Sequence, residues 1–273
     1  MSENILMDLH THSTLSHDGS DEIRKNIERA VMLGIKVFAT TEHIDLNVYY
    51  DKRYKNNILI KRGNKIINDL KKEYEKDIKI IYGVEFAQGI HNKALADKIT
   101  DEFRFDYILG SVHTIRGEQD FYYIDYKSRD ANNLLKRYFD EIIEMIDWGN
   151  IDAVAHLTYP LRYIIGRDGL NFDIKMFDDK IREIFRLMTD KKIALELNAC
   201  GLRIPRYNRP DPDFDYIKIY KMAGGELLTI GSDSHSAAHV GSGVREAQIK
   251  AVECGFDKLV YFENRKPCFL SLT

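Results

Sequence analysis

Residues 7–23 read MDLHTHSTLSHDGSDEI. A short apolar run ends in His10 and His12, and His17 and Asp18 follow closely. Alternate residues of an extended strand leave on the same face, so the two imidazoles of H-x-H point together. Buried histidines and carboxylates are costly unless they are paired or hold a metal. This density at the end of a strand therefore raises the question of a metal site.

Outward from this stretch, short β-branched runs alternate with amphipathic helical patterns. Strands are predicted at 4–10, 35–43, 78–86, 107–113, 151–156, 193–199 and 227–235. Helices are predicted at 21–34, 64–77, 92–103, 131–149, 176–192, 214–225 and 244–255, with a polar Tyr/Asn-rich loop before the second. In the first helix Ile23, Ile27, Ala30 and Val31 share a face and Gly34 is placed to end it; in the second Ile66, Ile67 and Leu70 face inward. A last run, 258–262, reads as an additional short strand. No repeat, low-complexity block or Pro/Gly-rich linker divides the chain, so residues 1–273 are expected to form one domain.

Seven strands alternating with helices define a parallel α/β architecture, either a barrel or an open doubly wound sheet. The polar residues at the C-terminal ends of the strands distinguish the two. They are His10 and His12, His43, Glu85, His113, His156, Glu196 with Asn198, and Asp233 with His235. An open sheet gathers its ligands at a switch point between a few strands. A barrel brings every C-terminal strand end to one mouth. A distorted (β/α)7 barrel is therefore expected.

Asp233 and His235 repeat the spacing of His10 and His12, and a closed barrel makes the first and last strands neighbours. A lone strand-end histidine is more often hydrogen-bonded packing than a ligand, but here six stand at the same end of their strands. Imidazole and carboxylate together suit zinc, manganese or iron. The set is too large for one ion and points to two or three.

Composition excludes other classes. Forty Lys and Arg against 43 Asp and Glu give a net charge of −3 and no bulk case for nucleic acid or an anionic membrane. Cys200, Cys254 and Cys268 contain no C-x-x-C pair, so neither a disulfide framework nor a thiolate zinc site is indicated. No secretory start and no apolar span of membrane length are seen, and a cytoplasmic location is expected. Nothing in the sequence specifies an oligomeric state.

The ordered segments DLHTHS…SHDG, TTEH, GVEF, GSVH, AHLTYP and GSDSH, from Asp8 to about Gly241, resemble the polymerase-and-histidinol-phosphatase (PHP) family. Spacing and length are most similar to its stand-alone bacterial histidinol-phosphate phosphatases. The resemblance implies a distorted seven-stranded barrel with a trinuclear metal centre at its mouth. It implies one ion on His10, His12, Glu85 and Asp233. Glu85 would bridge to a second ion on His113 and His156, and a third would take Asp18, His43 and His235. The family ligand after H-x-H is His or Asp, and both His17 and Asp18 are available. Asp18 is favoured, because S-x-D-G/S is the form associated with these phosphatases. His17 would then be substrate-facing, supporting or merely exposed.

Two nearby ions can hold a bridging hydroxide near neutral pH and bind phosphate oxygens, so no phosphorylated side chain is required. Glu85, Asp233 and His235 are the expected catalytic residues. Cys200 has no activating partner and reads as packing. Arg162 and Arg203, just past strand ends, are placed like the family's phosphate-binding arginines; Arg116 is a weaker candidate. A substrate ammonium and imidazole could use Glu196, Tyr159 or the acidic, tyrosine-rich segment Tyr122–Tyr126. His91 and His239 fall outside the ordered set and read as surface or supporting groups. The expected partner is a small phosphomonoester, L-histidinol phosphate first. Two alternatives are another phosphoester and a non-catalytic metal-stabilised module. The latter should have lost ligands that this chain retains. An amidohydrolase-like enzyme would bring a bridging lysine that is not seen.

Overall fold

The computed structural model describes residues 6–46 and 57–272, with side chains from residue 62 in the second segment. Seven parallel strands form one sheet in sequential order: β1 Met7–Asp8, β2 Val37–Asp45, β3 Lys79–Ala87, β4 Tyr107–Ser111, β5 Ala153–Val154, β6 Ala194–Asn198 and β7 Leu228–Gly231. The first and last strands then meet. Leu9 N–H donates to Ile230 O (2.9 Å), Asp233 N–H to His10 O (2.8 Å) and His12 N–H to Ser234 O (2.8 Å). The sheet is a nearly closed barrel, and this seam interleaves the H-x-H segment with Asp233–His235.

Barrel strands are covered on both faces, one by the interior and one by helices, so they read as continuous apolar runs rather than alternations. In β3, all residues after Lys79 are buried. The helices are α1 Ile23–Met32, α2 Asn57–Glu73, α3 Lys93–Phe103, α4 Ala131–Trp148, α5 Asp178–Lys191, α6 Phe214–Met222 and α7 Val244–Glu253. Each presents an apolar stripe to the sheet. In α1, Ile23, Ile27 and Ala30 are buried at helical spacing and Val31 lies at the edge. Full burial of an isoleucine such as Ile23 or Ile27 stabilises by about 1.5–3 kcal/mol. Gly34 takes φ 70° just past α1, and its N–H caps Val31 O at 2.9 Å, as its position predicts.

Two differences from the predicted elements have clear physical reasons. Helix α2 starts at Asn57 rather than 64 and runs through Gly63, where a Cβ would come within 3.2 Å of Leu15 Cδ1. The glycine thus serves close packing inside a helix. Residues 1–5 and 47–56, which include the start of the predicted first strand and part of the Tyr/Asn-rich loop, lie outside the described residues.

The second correction concerns the final apolar run. The additional strand is present but stands outside the barrel: β8 Lys258–Glu263 pairs antiparallel with β9 Lys266–Ser271 in a separate hairpin. Asn264 and Arg265, both with positive φ, make a two-residue turn that suits the twist of the strands. Arg265 ion-pairs with Asp152 at 2.5 Å, and Phe262 stacks on Tyr107 at 5.5 Å. The hairpin therefore packs against the N-terminal ends of β4 and β5, opposite the histidine-rich mouth.

Candidate metal centre

The strand register delivers the site. His43 of β2 and Glu85 of β3 are direct partners across the parallel ladder, so their side chains stand side by side. Glu85 is buried and divides the surrounding imidazoles between its two oxygens. Oε1 lies 2.9 Å from His113 Nε2 and 2.8 Å from His156 Nε2. Oε2 lies 3.1 Å from His10 Nε2, 3.4 Å from His12 Nε2 and 3.2 Å from His43 Nδ1. Asp233 Oδ1 faces His10, His12 and His235 at 3.6–3.7 Å. Asp18 Oδ2 lies 3.0 Å from His235 Nε2 and 3.5 Å from His43 Nε2.

Among the described residues, four triads have potential ligand atoms within 4.8 Å of one another: His10–His12–Glu85, His10–His156–Asp233, His43–Glu85–His113 and His12–His43–His235. His12 Nε2 and His43 Nδ1 are buried and make no hydrogen bond, though both face carboxylate oxygens. Such orphaned donors are unfavourable without a partner. Nitrogen and oxygen ligands converging from several strands fit divalent transition-metal ions.

The chain leaves its strands at these ligands by strained turns. His156 has φ 23° and Asp233 φ 52°, both uncommon for non-glycine residues and typical of functional sites. Electrostatics reinforce the cluster. Burial pushes the Glu85 carboxyl up, but His10, His113 and His43 hold it well below the usual range. Asp233, opposed likewise by burial, is held low by His10 and Arg162. Burial works against a charged His10, yet Glu196, Asp233 and Glu85 raise it well above its ordinary value. His12 moves the other way: burial, His43 and His235 lower it to about 3.

Behind the imidazoles stand carboxylates whose roles the sequence did not reveal. Glu196 is buried; Oε1 receives His10 Nδ1 at 2.6 Å, and Oε2 receives the His156 N–H at 2.8 Å. The suggestion that Glu196 faces a substrate ammonium is therefore corrected: it backs two site histidines. Asp45 Oδ1 lies 3.2 Å from His113 Nδ1. Glu42 accepts from Ser13 N–H at 3.0 Å and from Ser13 Oγ and Ser16 Oγ at 2.6 Å, fixing the loop that carries Asp18. Asp8 accepts from Ser232 N–H and Gly241 N–H, both at 2.8 Å, across the seam. An acidic residue inside an otherwise apolar strand, as in ALELN, is the signal that could have identified Glu196.

The remaining candidates separate by position. Arg162, on a π-helical turn Arg162–Arg167, is buried rather than solvated. Its Nη1 donates to Asp233 Oδ2 and its Nη2 to Asn198 Oδ1, each at 2.8 Å, and its Nε pairs with Asp211. Arg203 straps the β7 end through Ser232 O (2.7 Å) and Asp233 O (3.0 Å). Arg116 instead turns to α4, donating to Glu144 at 2.7 Å and Ile90 O at 2.9 Å. His17 is half-exposed at the rim, its ring 5.2 Å from that of His43. Tyr159 packs on His113 and His156 at 5.1 and 4.8 Å, whereas Tyr122 and Tyr123 are exposed. His91 pairs with Glu141 at 2.7 Å, and His239 is exposed beside Ser236. Burial pushes the Cys200 thiol up, which suits packing and not nucleophilic attack.

A parallel barrel with a cluster of histidines and carboxylates suited to metal at its C-terminal mouth defines the class. The PHP domain family matches residues 8–200, and the chain belongs to that family. A Clostridium acetobutylicum relative named "Probable histidinol-phosphatase" is 31% identical over 270 residues, 96% of this chain and 98% of the relative. The Lactococcus lactis "Histidinol-phosphatase" is 26% identical over 268 residues, 95% of each. The crystal structure of histidinol phosphate phosphatase from Lactococcus lactis, complexed with Zn, L-histidinol and phosphate, matches with a TM-score of 0.82. It shares 23% identity and covers 97% of this chain and 100% of that one.

Proposed function

We propose that this chain is a metal-dependent phosphomonoester hydrolase that converts L-histidinol phosphate and water to L-histidinol and phosphate, a step of histidine biosynthesis. The observation that carries the reading is Glu85, whose two oxygens serve two separate groups of imidazoles, the arrangement expected of a carboxylate bridging two ions. Full-length relatives named as histidinol-phosphatases support the substrate.

His10, His12, Glu85 and Asp233 would hold one ion, and Glu85, His113 and His156 a second. Asp18, His43 and His235 would hold a third. Zinc, manganese and iron all suit these donors. When bound, the ions would lower the pKa of water enough to make a hydroxide nucleophile available near neutral pH and would supply counter-charge for the phosphoryl oxygens.

The chain's own residues orient the reaction. Glu85, Asp233 and His235 fix the relative positions of the ion sites and are the catalytic residues. Three of the five N–H groups of Arg162 are engaged by Asp211, Asp233 and Asn198, and its remaining donors are assigned to a phosphoryl oxygen. Arg203 lies against the same strand end and His17 stands half-exposed at the rim, and both are assigned to the substrate-facing side. Tyr159 offers an aromatic wall beside His113 and His156. No described helix is long and apolar enough to cross a membrane, and a cytoplasmic location fits a biosynthetic role.

The test is phosphate release by the zinc- or manganese-loaded chain from L-histidinol phosphate, a sugar phosphate, a nucleoside monophosphate and a phosphodiester. The highest kcat/KM is expected for L-histidinol phosphate. A higher value for another ester would reassign the substrate, and hydrolysis of none would favour a non-catalytic module.

A further inference from the structure

Asp211 is wholly buried yet touches none of the site imidazoles in the described contacts. It lies between β6 and α6, and its backbone pairs with Asn198 in both directions at 2.9 Å. Oδ1 accepts from Thr158 Oγ1 at 3.0 Å and Tyr207 OH at 2.5 Å, while Oδ2 receives Arg162 Nε. The far end of the same guanidinium reaches Asp233 Oδ2 and Asn198 Oδ1. Arg162 thus lies between two carboxylates. Asp233 is divided as well, with Oδ2 toward Arg162 and Oδ1 toward His10, His12 and His235.

We propose that Asp211 is a positioning residue for the metal centre: by holding Arg162 Nε, it confines the arginine to one oxygen of Asp233 and leaves the other for an ion. A buried guanidinium with a single carboxylate partner favours a bidentate pair that occupies both oxygens. With Asp211 present, the positive charge is shared, and Thr158 and Tyr207 fix the angle from which it is held. The inference rests on the reading of Asp233 as a ligand.

Zinc affinity and stoichiometry, measured by chelator competition on the full chain, test it with Asp211→Asn, Arg162→Met, their double variant and Asp233→Asn. Asp211→Asn is expected to weaken zinc binding about 10–100-fold, the range for residues that support metal ligands. In the Arg162→Met background it should cause no further loss, because the route runs through the arginine. Wild-type affinity in Asp211→Asn, or an equal loss with and without Arg162, would overturn the inference. If Asp211→Asn alone does not fold, the double variant, which buries neither charge, decides: affinity equal to Arg162→Met supports the role, and a further loss overturns it. Wild-type affinity in Asp233→Asn would remove the ligand reading and this inference with it. Loss there with none in Asp211→Asn removes the inference alone.

Discussion

His10 is gripped from both sides: Nδ1 lies 2.6 Å from Glu196 Oε1, and Nε2 lies 3.1 Å from Glu85 Oε2. A carboxylate only accepts, so Nδ1 donates to Glu196, while Nε2, which faces Glu85 at the centre, is the nitrogen that would exchange its proton for an ion. Replacing Glu196 with Gln keeps the shape but loses the charge-assisted bond and weakens the acceptor of the His156 N–H. Metal affinity is expected to fall about 10–100-fold, with activity regained at high metal concentration. Titrating phosphatase activity against free zinc in both proteins checks this; an unchanged titration would show that Glu196 does not orient the ligand.

Gly231 makes that contact possible. A Cβ there would stand 2.3 Å from His10 Cβ and 2.7 Å from Glu196 Oε1, distances that neither buried side chain can relieve. Gly231→Ala is expected to lower stability by about 1–3 kcal/mol, the usual range for overpacking a core, and to reduce bound metal at the same time. Urea unfolding of the chelator-treated protein, with metal analysis of the loaded one, measures both. A loss of stability with full metal content would separate packing from ligand placement.

The cluster of candidate site residues was legible because H-x-H spacing, strand periodicity and strand-end position all act locally along the chain. His43, Glu85 and His113 fall where that logic puts them. The barrel followed from counting how many strand ends carried such groups. What supports the ligands was less legible, because it depends on register between distant strands. Glu196 meets His10 across the first and last parts of the chain, and Asp211, in RPDPDFD, resembles an ordinary helix-capping aspartate. Arg162 read as a phosphate-binding arginine, but its burial between Asp211 and Asp233 was not legible because only the fold supplies those two carboxylates. The hairpin partner of the last predicted strand, Lys266–Ser271, was not read because Asn264–Arg265 forms a tight turn without glycine.

The imidazoles make metal-free stability depend on pH. Burial disfavours a charged His43, but Glu85 and Asp18 outweigh it and raise the group to about 9. A folded value above the ordinary ~6.5 means that the stabilisation is fully present below ~6.5 and is lost as pH rises through about 9. His10 and His113, raised against burial by neighbouring carboxylates, act with the same sign. His12 and His156 are lowered, stay neutral in both states above ~6.5 and add no slope there. The melting temperature in chelator should therefore fall between pH ~6.5 and 9. Metal binding releases these protons, so zinc affinity should rise over the same window. Thermal melts in chelator that rise with pH would contradict the assignment of charge.

Asp18 and His17 compete for the third position, and their surroundings differ. Asp18 Oδ2 lies 3.0 Å from His235 Nε2 and 3.5 Å from His43 Nε2, and although the partly exposed carboxyl is also partly desolvated, these imidazoles hold it below the ordinary range. His17 Nε2 is 3.9 Å from the same oxygen, and half of the side chain is exposed. Glu42, through Ser13 and Ser16, holds the loop so that Asp18 faces inward. Asp18→Ala should lose the ion held with His43 and His235 while retaining those at Glu85. His17→Ala should keep every ion and show its effect in KM or in the pH profile of kcat. Metal analysis of both variants after identical zinc loading decides between them: full occupancy in Asp18→Ala with a loss in His17→Ala would transfer the ligand to His17.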